Sequence, residues 1–599
     1  MNYRLKRRRQ KVETRKLWDE TPEKAPLENS RKRAIIIITV VFFGFAVILL
    51  RLVNLMILDH GKLSERASQQ YIREKTLTPQ RGVIWDRNMK EMAANIETDS
   101  LYAVPLKIKD TRGLSSQLAP VIKVSTGEVN ALLLKKKGKG FTWLARRMDW
   151  ETSRKLNELK EPFKEGLIGF VTEPKRFYPK GQTASHILGF SNIDDEGIAG
   201  LELVYNDYLK GEVKSVSVGM DARGRSLASD VKEAVPGNSL LLTIDEGLQY
   251  IVERELTAAM EVRKAKAAVA IMMDPKTGEI LALANRPTYD PNFPAQATGE
   301  EKRNRAITDL YEPGSTMKSI LASAALEEKA VGLSDMFDVS RGTINVAGKT
   351  IHDVHRHGVL NFLEVIKKSS NVGAVKIGMR LGQTRYYDYL KKFGYGEKTG
   401  LDFPGEVRGI LRNVKSWSGT SLACMSIGQE IGVTPLQMLR AYSVIANGGV
   451  LMKPYIVSEI ISPDGKVLKR NAPTEERRVL SRTTAATMRD ILKTVVEQGG
   501  TAQRAGVKGN LVAGKTGTAQ IFDPKTGHYS KNRFVSSFVG FAPADDPKVA
   551  LIVVVYEPVG ENYGGLVAAP VFKNIIEHTF TYLDVPMEKD ENNIYLVSR

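Results

Sequence analysis

Glu312-Pro313-Gly314-Ser315-Thr316-Met317-Lys318 runs directly into Ser319-Ile320-Leu321-Ala322-Ser323-Ala324-Ala325-Leu326-Glu327. The second half is a strong helix former, and the Pro-Gly ahead of it predicts that the helix starts at Ser315. Lys318 then lies three residues on, on the same face, so its amine is within reach of the Ser315 hydroxyl; the helix N-terminus favours developing negative charge. A serine hydroxyl, with a pKa far above 7, needs such a base before it attacks a carbonyl. Taken alone, the pattern is also that of an N-cap serine with an exposed lysine. Ser229-Asp230-Val231-Lys232 repeats the spacing without the helical context.

Two further motifs give the first its meaning. Lys367-Lys368-Ser369-Ser370-Asn371-Val372-Gly373 places Ser369 54 residues after Ser315, and Leu511-Val512-Ala513-Gly514-Lys515-Thr516-Gly517-Thr518-Ala519-Gln520 reads as a strand. A serine and an amide can relay a proton and hold a substrate amide. Lys515, Thr516, Gly517 and Thr518 offer a cation, two hydroxyls and a backbone that another chain can approach closely, which suits an extended peptide ending in a carboxylate. Lys-Thr-Gly also occurs at Lys276, Lys398 and Lys525. Two of those copies follow Asp-Pro and read as turn apices, and the third sits in a loop. Only Lys515 follows an apolar strand entry and has Thr518 after it. The ordered set Ser-x-x-Lys, Ser-x-Asn, Lys-Thr-Gly-Thr is the signature class of penicillin-interacting serine enzymes.

Around these motifs the pattern is α+β. Ser239 to Asp245 reads as a strand leading into a helix near Glu246, and Ala267 to Met273, a turn at Asp274 to Gly278, and Glu279 to Ala284 form a hairpin. Asn510 to Gln520, Phe534 to Phe541 and Val549 to Tyr556 are three late strands, and roughly 300–439 between the two groups is mostly helical. Strands from both ends enclosing a helical block predict one domain whose sheet is closed by its termini. A turn at Ala234 to Asn238 sets its start at 236. No fixed-period repeat is evident.

Ala34 to Leu50 is free of charge, and the apolar character resumes after Arg51 as far as Leu58. This is long enough to span a bilayer. A cleaved signal peptide would have a short n-region and small residues at its exit, whereas this tail is 33 residues long and the exit is Arg-Leu-Val-Asn. Met1 to Arg33 holds twelve Lys or Arg against five Asp or Glu, so +7 of the chain's +19 lies in the tail. The positive-inside rule then keeps the tail cytoplasmic and exports the rest. The 599 residues, 42% hydrophobic and 26% charged, exclude a disulfide-stapled module, a disordered chain and a multi-span protein. One cysteine, Cys424, excludes Cys-rich metal sites and reads as a small core residue. His352, His355 and His357, with Asp353, are of metal-ligating types, but a polar loop is the preferred reading, and neither metal nor cofactor is expected.

The chain resembles the class B penicillin-binding proteins, most closely the division-type, septal peptidoglycan D,D-transpeptidases. Beyond the catalytic motifs the likeness rests on Arg81-Gly82-Val83-Ile84-Trp85-Asp86-Arg87-Asn88, Arg176-Phe177-Tyr178-Pro179, Gly197-Ile198-Ala199-Gly200-Leu201-Glu202, Ser426-Ile427-Gly428-Gln429 and Val433-Thr434-Pro435-Leu436-Gln437. Asn371 favours the division-type branch, and Met89 stands where the family usually has Gly. The resemblance implies a cytoplasmic tail over 1–33, an anchor over 34–58, an elongated mixed pedestal over 59–235 and a penicillin-binding/serine β-lactamase-like transpeptidase domain over 236–599. It also implies catalysis by Ser315, Lys318, Ser369, Asn371 and Lys515, with Thr516, Gly517 and Thr518 binding substrate and Tyr563-Gly564-Gly565 auxiliary. The implied ligands are peptidoglycan peptide stems and β-lactams, and the implied partners are a SEDS-type membrane glycosyltransferase and other divisome proteins. Nucleic acid is not expected, since the exported part never meets the chromosome. The competing readings are a D,D-carboxypeptidase or β-lactamase-like hydrolase, and a non-catalytic divisome scaffold or β-lactam sensor.

Overall fold

The computed structural model describes residues 27–64, 72–77, 79–212, 214–219, 234–401, 403–507 and 512–585, which divide into two compact units. Most of the basic tail and the Ser229 to Lys232 repeat lie outside the described residues. The first unit holds helix α1 (Leu27–Val53), which continues as a π-helical turn over Asn54–Leu58. Its apolar side chains face outward, Phe42 being 76% exposed, as lipid-facing residues would be. Among the described residues it is the one helix long and apolar enough to cross a membrane.

In the second unit a long hairpin-like pair dominates the first 150 residues. Strand β1 (Glu91–Ala103) runs antiparallel to β2 (Ile168–Phe177), in register from Ala94 opposite Phe177 to Ala103 opposite Ile168. The outer end carries its own small core of Leu101, Leu114, Leu118, Leu133, Leu156 and Ile168. At the inner end three of the quoted motifs meet in one buried network. Glu202 accepts from Arg81 Nε at 2.5 Å, Arg176 Nε at 2.6 Å and Tyr178 Oη at 3.3 Å. Arg81 also reaches the carbonyls of Asp195 and Glu202, and Arg176 that of Gly82. Two guanidinium groups hold the Glu202 carboxyl below its usual range against the opposing effect of complete burial.

The sheet then continues through Ile84–Trp85, Ser239–Leu242 and Val457–Ile461. Ser239–Leu242 pairs in parallel with Ile84–Trp85 and antiparallel with Val457–Ile461, so one sheet runs across the 235/236 position.

Helix α2 (Glu246–Arg263) is capped by Asp245, whose carboxylate accepts from Gly247 N and Leu248 N. Strands β3 (Ala267–Met273) and β4 (Ile280–Arg286) form the early hairpin. Helices α3 (Met317–Glu327), α4 (Asn371–Leu381) and α5 (Pro435–Ala446) follow, then β5 (Ala513–Asp523), β6 (His528–Ala542), β7 (Val549–Tyr556) and α6 (Gly564–Tyr582). The sheet order is β4–β3–β7–β6–β5, all antiparallel, so strands from both ends of the segment close it. Helices α2 and α6 pack on one face and α5 on the other. Coverage on both faces is why β3 and β7 are continuous apolar runs without alternation.

One expectation needs correction. The stretch read as mostly helical, 300–439, also contains two β-ribbons, Met336–Asp338 with Val359–Asn361 and Thr343–Val346 with Lys349–His352. The second turns on Ala347 and Gly348, both at positive φ, the arrangement that matches the twist of a two-residue hairpin. Strands of three or four residues are too short for period-2 alternation to stand out against the flanking helical pattern.

Candidate active site

Ser315 sits in a 3-10 turn, Gly314–Thr316, that leads without a break into α3. Three contacts from distant segments hold this turn. Gly314 N donates to Gly428 O at 3.1 Å, Tyr311 and Val433 exchange backbone bonds at 3.0 Å, and Tyr442 Oη on α5 donates to Thr316 O at 2.8 Å. The Ser426 to Gln429 and Val433 to Gln437 motifs are therefore supports of the Ser315 turn. A Cβ on Gly428, which has φ of +78°, would lie 2.1 Å from Gly314 O, so only glycine allows this approach.

Lys318 is wholly buried, one turn on from Ser315. Its Nζ donates to Ser369 O at 2.6 Å, Asn371 Oδ1 at 2.7 Å and Ser369 Oγ at 3.2 Å. The hydrogen bond to Ser315 Oγ foreseen from spacing is not among these; three oxygens of the second motif surround the amine instead. Burial pulls the Lys318 pKa down to about 7, with the charge of Asp353 opposing the shift. Lys515, also wholly buried, donates to Ser369 Oγ at 3.0 Å and Thr516 Oγ1 at 3.3 Å. Burial, and then the charge of Lys318, hold it well below the usual lysine range. Ser369 Oγ thus lies between two amines, in a residue held at φ of +58°.

Strand β5 is the edge of the sheet, so every second N–H and C=O along it lacks a ladder partner. Gly517 packs against the nucleophile turn: a Cβ there would lie 2.8 Å from Pro313 O and 2.3 Å from Ser537 Oγ. Thr516 Oγ1 lies 3.1 Å from Thr501 Oγ1, and Thr518 Oγ1 accepts from Gly564 N at 2.9 Å. The Tyr563 to Gly565 segment therefore rests on the Lys-Thr-Gly-Thr strand. Of the other Lys-Thr-Gly copies, Lys276 and Lys525 lie in turns and Lys398 in a loop.

Sequence reasoning missed Asp353, which accepts from Ser370 Oγ, Asn371 N and Val372 N, and Thr501, which no motif marks. His352 ends the Lys349–His352 strand and His355 and His357 sit on the loop that follows, with His352 and His355 exposed. Among the described residues no three His, Cys, Asp or Glu side chains are grouped to hold a metal. Cys424 is fully buried, its thiol pushed up by burial, with Lys349 Nζ at 3.1 Å.

A serine at a helix start, a buried lysine of lowered pKa one turn on, a Ser-x-Asn segment between two lysines and an edge strand beside them define an active-site serine acyltransferase of the penicillin-interacting type. Residues 268–577 match the penicillin-binding protein transpeptidase domain, and residues 76–242 the penicillin-binding protein dimerisation domain. The chain is 36% identical to stage V sporulation protein D of Bacillus subtilis, over 94% of this chain and 87% of that one. It is 32% identical to the peptidoglycan D,D-transpeptidase FtsI of Escherichia coli, over 90% and 89%. The solved structure of penicillin-binding protein 3 from Mycobacterium tuberculosis complexed with ampicillin superposes with a TM-score of 0.69 at 30% identity, covering 87% of this chain and 98% of that one. The chain belongs to the class B penicillin-binding proteins.

Proposed function

We propose that this protein is a peptidoglycan D,D-transpeptidase that cross-links peptide stems during septal wall synthesis through an acyl-enzyme on Ser315, and that β-lactams acylate the same serine. The observation that carries the reading is the buried Lys318, brought to about 7 and bonded to both residues of the Ser-x-Asn motif one turn from Ser315. A neutral amine has two hydrogens. The shortest contacts, to Ser369 O and Asn371 Oδ1, use both, which leaves the lone pair for a hydroxyl proton.

In this scheme Lys318 takes the Ser315 proton as Oγ attacks the carbonyl of the penultimate D-Ala of a donor stem. The backbone N–H groups of Ser315 and Thr518 receive the oxyanion. Ser369, between Lys318 and Lys515, passes the proton to the nitrogen of the departing D-Ala, and the C–N bond breaks. Asn371 orients the donor amide, and Lys515, Thr516 and Thr518 hold the terminal carboxylate, with Gly517 keeping the strand close to the nucleophile. The stem lies along β5 as an added strand. An amine from an acceptor stem then attacks the ester and restores Ser315.

The one apolar helix supports a single-pass anchor. The +7 tail favours a cytoplasmic N-terminus, with the domain on the outer face of the membrane. Residues 59–235 form the pedestal and 236–599 the transpeptidase domain, and the partners are a SEDS-type glycosyltransferase and other divisome proteins. Fluorescent penicillin should label the full-length protein stoichiometrically, with the label on the Ser315 peptide and lost in Ser315→Ala. Rapid turnover of the β-lactam would make the protein a hydrolase, and growth supported by Ser315→Ala would make it a scaffold.

A further inference from the structure

Asp353 follows the Thr343–Val346/Lys349–His352 ribbon and lies over the first turn of α4. Its Oδ1 accepts from Asn371 N and, at 3.0 Å, from Val372 N, while Oδ2 accepts from Ser370 Oγ at 2.8 Å. Ser370 Oγ in turn caps Gly373 N at 2.9 Å. The side chains of Asp353 and Ser370 together satisfy the first N–H groups of α4, a task one N-cap residue performs in most helices. Asp353 is itself held, its N–H donating to Gly342 O at 2.9 Å.

The preceding residue completes the arrangement. His352 O accepts from Asn371 Nδ2 at 2.7 Å, and Asn371 Oδ1 accepts from Lys318 at 2.7 Å. His352-Asp353 therefore sets both the backbone position of Asn371 and which end of its amide faces the lysine. Ser369, the first residue of this anchored turn, is held in a left-handed conformation that a non-glycine residue adopts only at a cost. Its carbonyl and hydroxyl both meet Lys318 in that conformation.

We propose that Asp353 is a positioning residue for acyl transfer: its carboxylate anchors the Ser369 to Asn371 turn in the orientation that presents Ser369 and Asn371 to Lys318. This rests on the transpeptidase reading above. The charged groups facing Lys318 are Asp353 and, across Ser369 Oγ, Lys515; Lys349 and His352 lie on the preceding ribbon, Lys376 and Arg380 on α4, and His355, Arg356 and His357 on the loop after Asp353. The sign is defined, since Asp353 raises the Lys318 pKa against burial.

The test uses the full-length protein in detergent and follows fluorescent-penicillin acylation from pH 5 to 9. Asp353→Ala removes all three acceptor contacts and should slow acylation about 100-fold, the scale of a 1 Å misplacement. Asp353→Asn keeps one oxygen for Asn371 N and Val372 N but loses the charge. It should stay within about tenfold of the parent at high pH, while the acid limb of its profile moves to lower pH. A purely structural role would reduce amplitude and thermal stability and leave the limb in place. Acylation of Asp353→Ala within twofold of the parent, or an unmoved limb in Asp353→Asn, overturns the proposal. If Asp353→Ala does not fold, Asp353→Asn alone decides it. Failure of the unsubstituted protein to acylate removes the transpeptidase reading and this inference with it.

Discussion

At the scale of single residues, the environment of Lys318 brings an ordinary ammonium down to a pKa of about 7, which suits the base of the proposed reaction. Its bonded partners are neutral oxygens, and Asp353 only partly offsets the desolvation. In the proposed reaction acylation requires the neutral amine. Its rate constant should therefore rise about tenfold per unit below pH 7 and level off above, as read by penicillin labelling across pH. The same shift acts on stability. The folded pKa of about 7 lies below the 10.5 of a free lysine, so the unfolded chain binds more protons between these values. Stability should then rise with pH across that window, and Lys515, shifted the same way, adds to the trend. Lys318→Met should flatten the slope in denaturant titrations at pH 7 and pH 9. Met89 gives a separate prediction. It has φ of +61° and is 55% exposed in a turn that Asp86 closes through Asn88 N and Lys90 N. Met89→Gly should stabilise the protein by about 0.5–1 kcal/mol, visible as a raised melting temperature with acylation unchanged.

At the scale of elements, the site depends on how closely β5 approaches the turn that starts α3. Two glycines set that distance, Gly517 on the strand and Gly428 behind the turn. Gly517→Ala forces a Cβ against Pro313 O and should move the strand outward, lowering acylation by about 100-fold or more while leaving the fold intact by circular dichroism. An edge strand tolerates the shift because one side has no ladder partner to lose. Much at this scale was legible beforehand. The apolar runs at Ala267 to Met273 and Val549 to Tyr556, and the strand entry before Lys515, identified the sheet because strands buried on both faces carry unbroken apolar runs. The ribbons at 336–361 escaped notice, since strands of three or four residues carry little pattern of their own, and Ile351 finds its partners in Val375 and Ala423 on segments further along the chain. Asp353 itself was read as part of a polar histidine loop, because a carboxylate that caps a helix 18 residues further on leaves no local spacing signal.

At the scale of the whole molecule, strands from the stretches that match the dimerisation and transpeptidase domains share a sheet, and the Arg81–Glu202–Arg176 network sits beside that junction. Breaking a buried ion pair from one side leaves an uncompensated charge. Glu202→Ala should therefore cost about 3–5 kcal/mol in denaturant unfolding, while the molecules that remain folded acylate at the parental rate. The motifs at Arg81, Arg176 and Glu202 were legible as sequence, but 121 residues separate Arg81 from Glu202 and nothing local announces that they meet. The sequence by itself determined the apolar span, the α+β class and the motifs from which the proposed site is built, because each rests on local chemistry: an uncharged apolar run, apolar strands, a helix start with a lysine one turn on. Only the tertiary structure decided that Lys318 turns to Ser369 and Asn371, that Asp353 holds them there, and that Gly428 and Tyr442 brace the Ser315 turn. Those facts depend on close approach between segments far apart in the chain, and on the burial that such approach produces.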